Sequence, residues 1–272
     1  MYSDLLKKTV DSRLLQAYIN SCRKGTGARP QNERNYPMAN YVVLGTETAP
    51  TVTYNDNRAH PETSLVYDFG YTIFDFSTNE TLCERSFVVA ETFYNTALMN
   101  SAYYADKIPT YQDGIKNKDW TVASFAEIWR TFKADCKQFN VKKAWAFNCQ
   151  FDEKALNNTL RTYSNGFVNW FMPYKLRLCD IWDYSSNITS SASYLKFCDA
   201  NAKFTASGNP STNAETVFAF LNNQRDYVEK HTALEDSRIE REILIAARKK
   251  HKKTRHSRGQ GWRNAAKAYK NR

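Results

Sequence analysis

The chain has 272 residues, 42% hydrophobic and 24% charged, with a net charge of +10. That length allows one large domain with extensions, and the composition is that of an ordinary globular protein rather than a fibrous or disordered one. No run approaches the roughly 18 apolar residues of a membrane span. The start Met1-Tyr-Ser-Asp-Leu-Leu-Lys-Lys lacks the apolar stretch of a secretory signal, so a cytoplasmic protein is expected.

The charge is spread unevenly. From Arg248 to Arg272 there are eleven Lys/Arg and no acids, and the first 39 residues carry seven basic against three acidic side chains. Taking both ends from the total leaves residues 40–247 near −5. An acidic body between basic ends suits an enzyme that gathers divalent cations centrally and binds polyanions with its flanks. A basic tail alone also fits a solubilising extension. The six cysteines, at 22, 83, 136, 149, 179 and 198, form no Cys-x-x-Cys pair, which argues against zinc and for reduced thiols.

Residues 4–22 place Leu5, Leu6, Val10, Leu14, Leu15 and Tyr18 near helical spacing, and 25–40, with two glycines and two prolines, read as a linker. A strand over 41–46 opens the body. Segments 64–74 and 81–90 are β-rich and flank Ser77-Thr78-Asn79-Glu80, which predicts a hairpin. Helices are predicted over 91–105, 125–139, 151–163, 214–222 and about 232–249, with short strands at 144–147 and 176–181. Three strands in meander followed by strand–helix alternation predict an α/β fold, a mixed sheet with helices on both faces. The expected organisation is a helix and linker (1–39), a body (40–248) and a basic tail (249–272).

Three motifs fall on this frame. Tyr41-Val42-Val43-Leu44 runs into Gly45-Thr46-Glu47. Strand alternation sends Val43, Gly45 and Glu47 to one face, and Val42, Leu44 and Thr46 to the other. Glu47 stands at the carboxyl end of a central strand, where open α/β sheets place their ligands. Asn148-Cys149-Gln150-Phe151-Asp152 opens a helix in which Asp152 shares a stripe with Ala155, Leu156 and Thr159. Asn148 capping that helix is the structural alternative. His231-Thr-Ala-Leu-Glu-Asp236 opens the last body helix, where Asp236 aligns with Ile239, Ile243 and Ala247.

A carboxylate on a buried stripe is costly unless something positive meets it. Asp152 and Asp236 beside Glu47 therefore make a hard oxygen-donor set suited to Mg²⁺ or Mn²⁺. His231 precedes Asp236 by five residues, about 140° around a helix. It belongs at the loop-to-helix junction, in a position to act on water rather than to bind metal.

Taken together, these motifs resemble the DEDDh group of 3′–5′ exonucleases, in the DnaQ-like branch of the ribonuclease H-like superfamily, and the arrangement is most similar to virally encoded members. The resemblance covers about residues 40–248. It implies a ribonuclease H-like fold and two divalent metals flanking the scissile phosphate, one generating the attacking hydroxide and one stabilising the leaving 3′-oxygen. Carried over, Glu47, Asp152 and Asp236 hold the first metal, His231 is the general base, and Thr46 and Asn148 face the nucleic acid. The family's bridging aspartate falls at Gly45, which has no side-chain oxygen, so the second metal is weakened and activity falls by orders of magnitude. An engineered silencing substitution, selection during cloning and a natural pseudo-nuclease each account for Gly45, and the intact partners favour the first two.

The expected substrate is single-stranded DNA. RNA or short oligonucleotides, a non-catalytic nucleic-acid-binding adaptor, and a module tethered to a polymerase or replication partner are the alternatives. In the tail, Lys252, Lys253, Arg255, Arg258 and Arg263 are candidates to grip phosphates, with Trp262 and Tyr269 interleaved to stack on bases. Tyr94, Tyr103 and Tyr104 offer further stacking surface, although core packing is expected for most aromatics. Asp68, beside Gly70, and Asp180 and Asp183, flanking a strand end, could each approach the site, although sheet-end solvation is the expected reading; Ser211 or Thr212 reads as a helix cap.

Overall fold

A computed structural model describes residues 39–52, 60–250 and 261–271. The helix expected over 4–22, the linker up to residue 38, and Lys252, Lys253, Arg255 and Arg258 lie outside the described residues.

The body opens with strands β1 (Asn40–Pro50), β2 (Ser64–Asp75) and β3 (Thr81–Val89) in an antiparallel meander. At the turn between β2 and β3, the Asp75 carboxylate accepts hydrogen bonds from the backbone N–H of Ser77 (2.7 Å) and Thr78 (3.2 Å). Asn79 completes the turn at φ 64°, a left-handed conformation that asparagine tolerates. Two short helices follow, α1 (Ala90–Phe93) and α2 (Thr96–Met99), then α3 (Ile108–Asn117) and the edge strand β4 (Thr121–Ala123). Helix α4 (Phe125–Gln138) starts from a capping box in which Ser124 and Glu127 satisfy each other's backbone N–H. Strand β5 (Val141–Ala146), helix α5 (Gln150–Tyr163) and strand β6 (Leu178–Asp180) complete the sheet, in the order β4-β3-β2-β1-β5-β6. β5 runs parallel to β1 and β6 parallel to β5.

Helices α6 (Ile181–Tyr184), α7 (Ser186–Thr189), α8 (Ala192–Ala200), α9 (Ala214–Leu221), α10 (Ala233–Lys250) and α11 (Trp262–Lys270) follow. Both sheet faces are covered, as predicted. Val42 and Leu44 pack with Phe125, Ile128 and Phe132 of α4 and Leu156 of α5. Tyr41 and Val43 pack with Val217 of α9 and Ile239, Ile243 and Leu244 of α10. β2 is buried at every position, because neither of its faces meets solvent.

Helix α10 approaches the sheet most closely where two glycines face each other across β1 and β2. Gly45 pairs with Gly70. A Cβ on Gly70 would collide with the backbone of Ala233 and Leu234, and one on Gly45 would lie 2.7 Å from the Ala233 carbonyl oxygen. One rung further, the Thr72 hydroxyl meets the Ser237 hydroxyl at 3.0 Å and ties helix to sheet.

Several details depart from the sequence reading. The single helix expected over 91–105 is broken, because the Asn95 side chain accepts the Leu98 N–H and starts a new turn in place of continuing the old one. The cap before α9 is Asn213, not Ser211 or Thr212: its carboxamide oxygen accepts the Thr216 N–H at 3.0 Å. Helix α8 escaped the reading because its buried set, Tyr194, Leu195 and Cys198, is too short to show a period. Part of the expected tail is the helix α11, which packs on α7 and buries Ala265. Among the described residues, no helix is long and apolar enough to cross a membrane.

Candidate active site

The carboxyl end of β1 brings Glu47 against the first turn of α10. Glu47 is 9% exposed and pairs directly with Asp68 across the antiparallel register, so the two side chains share one face of the sheet. Asp236 reaches the same place from α10, with its Cβ 3.4 Å from the position a Gly45 Cβ would occupy. Asp236 is set against Glu47 and against Glu229, which lies in the loop before α10, and the charges of these two weigh on it most.

Burial first, then Glu229 and Glu47 beside it, push the Asp236 carboxyl far above the usual range. Burial and then Asp68 do the same to Glu47, against the nearby Lys107 ammonium. Asp68, expected as a solvated sheet-end residue, has no exposed surface. Burial raises it to about 6, even though it accepts hydrogen bonds from the Ala233 N–H (2.9 Å) and the Tyr111 hydroxyl (2.7 Å). Asp180 is likewise buried. It accepts the N–H of Trp182 and of Asn148, so its task at the sheet end is capping rather than solvation.

Asp152 approaches from the opposite side. One of its oxygens accepts the Thr46 hydroxyl at 2.8 Å, and Thr46 lies on the α5 face of β1, as alternation predicts. Burial raises Asp152 to about 7, with Asp180 as an acidic neighbour. Asp152 in turn is the strongest charged neighbour of Glu240, a buried residue one turn beyond Asp236 that accepts the Phe147 N–H. The acids thus form two linked groups: Glu47, Asp68, Asp236 and Glu229 on one side, Asp152, Asp180 and Glu240 on the other. Asn148, whose backbone N–H meets Asp180, stands at φ 57°, and it is Cys149 that occupies the cap position of α5, without a side-chain cap.

His231 lies at the junction expected for it, two residues before α10, in a left-handed conformation at φ 50°. Its ring stacks on Tyr104, centroids 4.6 Å apart and 17° from parallel, and its Nδ1 lies 3.5 Å from the Glu229 carboxylate. Burial and then Lys107 lower its pKa, so the ring is neutral and able to accept a proton at pH 7. Lys107 donates to the Lys230 carbonyl at 2.6 Å and lies 4.3 Å from the Tyr104 ring centroid, bracing the loop that carries Glu229 and His231. Glu215, Glu229 and His231 also offer donor atoms within 4.8 Å of one another. In the tail, Arg263 is on α11, 5.5 Å from the Trp262 ring centroid.

The motif reading missed Glu229, Glu240 and Lys107, offered Tyr104 only as stacking surface, and preferred solvation for Asp68. Glu240 was detectable, since it follows Asp236 by four residues on one helical stripe. The others sit in loops or on a neighbouring strand, where no period marks them.

So many buried carboxylates with so little positive charge suit a divalent cation. Two oxygens carry that inference: Asp68 Oδ1 and Asp236 Oδ1 are buried with no hydrogen-bond partner. The arrangement also reverses the usual effect of acid. With folded-state pKa values near 6 to 7, Asp68, Asp152, Asp180 and Glu229 take up protons between pH 8 and 6 that the unfolded chain does not. Stability in chelator is then expected to rise as pH falls through that window, by a few °C in Tm. His231, with its lowered pKa, opposes this only below about pH 6.5. Saturating Mn²⁺ should remove the rise, which melting curves from pH 6 to 8 with and without the metal would show. A Tm that falls on acidification in chelator would contradict the charge distribution described here.

No family model matches the chain, and no curated protein matches it by sequence. Solved structures do. The nuclease domain of 3′hExo, a DEDDh family member bound to rAMP, superposes with a TM-score of 0.51 at 12% identity, covering 80% of this chain and 95% of that one. A full-length 3′-exonuclease gives a TM-score of 0.50 at 12% identity, covering 89% of this chain and 71% of that one. At such identities the likeness is one of fold: the chain has the mixed-sheet α/β fold of these ribonuclease H-like exonucleases.

Proposed function

We propose that the chain is a metal-dependent 3′–5′ exonuclease of the DEDDh type that hydrolyses phosphodiester bonds at the 3′ end of single-stranded nucleic acid, DNA before RNA. The observation that carries the reading is the approach of Glu47 to Asp236 where β1 ends and α10 begins, with His231 3.5 Å from Glu229, whose charge also acts on Asp236, in a fold shared with such nucleases. Mg²⁺ or Mn²⁺ held there would act as a Lewis acid on the scissile phosphate.

The chain's own residues do the remainder. Glu47 and Asp236 provide anionic oxygens for the cation, and Asp152, fixed by Thr46, provides a further carboxylate toward β5. His231, neutral and oriented by Tyr104 and Glu229, takes the proton from the attacking water. Gly45 contributes no oxygen, so a second cation is weakly held and turnover is slow. The basic ends, residues 1–39 and 249–272, attract the polyanionic strand to the acidic body.

The expected result is slow, Mn²⁺-dependent shortening of 5′-labelled single strands from the 3′ end, abolished by chelator. The same assay on matched DNA and RNA strands reports the sugar preference. A second reading, a non-catalytic binding protein, draws on the missing oxygen at Gly45. It requires salt-sensitive strand binding and no cleavage with either metal, and that outcome would displace the nuclease reading.

A further inference from the structure

We propose that Asp68, carried on β2, is itself a cation ligand and supplies the carboxylate that β1 lacks at residue 45, so that the divalent cation sits among Glu47, Asp68 and Asp236. The inference rests on the metal-dependent reading above and gives that site a ligand outside its three sequence motifs.

Four observations converge. First, placement: Asp68 is directly opposite Glu47 and two residues from Gly70, the partner of Gly45. A carboxylate there rises from the same face of the sheet, one strand over from the vacant position. Second, the Asp68 carboxylate is divided in its bonding. Its Oδ2 takes both donors, the Tyr111 hydroxyl and the Ala233 N–H, while Oδ1 is buried with no hydrogen-bond partner. A residue that served only to cap α10 would gain nothing from an unpaired oxygen in a dry site, whereas a cation ligand requires one.

Third, Asp236 repeats the feature. Its Oδ1 is also buried without a partner, and Glu47 and Asp68 are both among the charges that raise it. Two orphaned carboxylate oxygens in one acidic group mark a place for positive charge. Fourth, space at residue 45 is closed, since the Ala233 carbonyl and the Asp236 Cβ lie where its side chain would begin. With that route blocked, the neighbouring strand is the nearest source of a carboxylate. The Tyr111 hydroxyl and the Ala233 N–H then act as outer partners, holding the ligand at a fixed angle.

The test is Mn²⁺ binding to the full chain, by calorimetry and by the Mn²⁺-induced rise in Tm, for the unaltered protein and for Asp68→Asn, Glu47→Gln and Tyr111→Phe. Asp68→Asn keeps an oxygen for the two donors but loses the charge. Mn²⁺ affinity should fall at least about tenfold in Asp68→Asn and in Glu47→Gln, which each lose a ligand charge, and by about tenfold in Tyr111→Phe, which loses an outer partner of Asp68. If Asp68→Asn binds Mn²⁺ as the unaltered protein does while Glu47→Gln does not, Asp68 is a helix cap only, and the nuclease site stands without it. If the unaltered protein binds no Mn²⁺, the site reading falls and this inference with it. Anomalous diffraction from Mn²⁺-soaked crystals of the unaltered chain decides independently of whether a variant folds. A peak about 2.1 Å from Asp68 Oδ1 supports the assignment. A peak only among Glu215, Glu229 and His231 overturns it.

Discussion

Asp236→Asn is expected to make the metal-free protein more stable and to leave it without nuclease activity. Asp236 is where the acidic group is most crowded, with Glu229, Glu47, Glu240 and Asp68 all raising its pKa. Replacing it with a neutral isostere removes that repulsion. Each unit by which a carboxyl is raised corresponds to about 1.4 kcal/mol of instability in the ionised form, and each kcal/mol to about 2–4 °C in a chain of this size. The Tm in chelator should therefore rise by several degrees. Activity should fall by at least about 10²-fold, the scale on which loss of one electrostatic group acts in an active site. A residue kept for structure moves the other way: a lower Tm with activity retained would remove Asp236 from the site. Opposite changes in the two quantities mark a group that the fold tolerates for what it binds.

The second large effect concerns Gly45. An alanine there places Cβ 2.7 Å from the Ala233 carbonyl oxygen, with the Asp236 Cβ at 3.4 Å, and the first atom belongs to backbone that has no rotamer to yield. Gly45→Ala should cost about 1–3 kcal/mol, as overpacking does in a tight core, read as a Tm lower by about 2–12 °C. Gly45→Asp carries the same overlap and adds another buried carboxylate, so its loss in chelator should exceed that of alanine. Saturating Mn²⁺ should recover more of it than in Gly45→Ala, because the added charge is of the sign a cation compensates. Equal melting of all three proteins in chelator would mean that α10 stands further from β1 than described here. The close seat of α10 also bears on why glycine is found at residue 45: the helix can lie this near the sheet only where both Gly45 and Gly70 lack a side chain.

Much of the architecture was legible from residue patterns. The meander was readable because β1, β2 and β3 are β-rich runs separated by turn residues, and α4, α5 and α10 because each carries an apolar stripe long enough to show its period. Short elements were not. Helices α1 and α2 share a segment whose composition suits one helix, and only the Asn95 cap divides it. For the candidate site, Glu47, Asp152, His231 and Asp236 were singled out because each sits at a strand end or helix start, where local pattern and resemblance agree. Their partition into two groups, with Asp152 turned toward Thr46 and Glu240, could not be read in advance.

Alternation and helical periodicity are local, so the sequence by itself determined which face of β1 carries Gly45 and Glu47, and which stripe of α10 carries Asp236. Which distant side chains complete the site was decided by tertiary structure. Asp68 faces Glu47 through the register of β1 and β2, and Glu229 and Lys107 arrive on loops whose paths no period records. The burial that raises these acids exists only once α10 has settled onto two glycines. Desolvation and charge repulsion depend on distances in space, and a chain written in one dimension fixes those only through its folding.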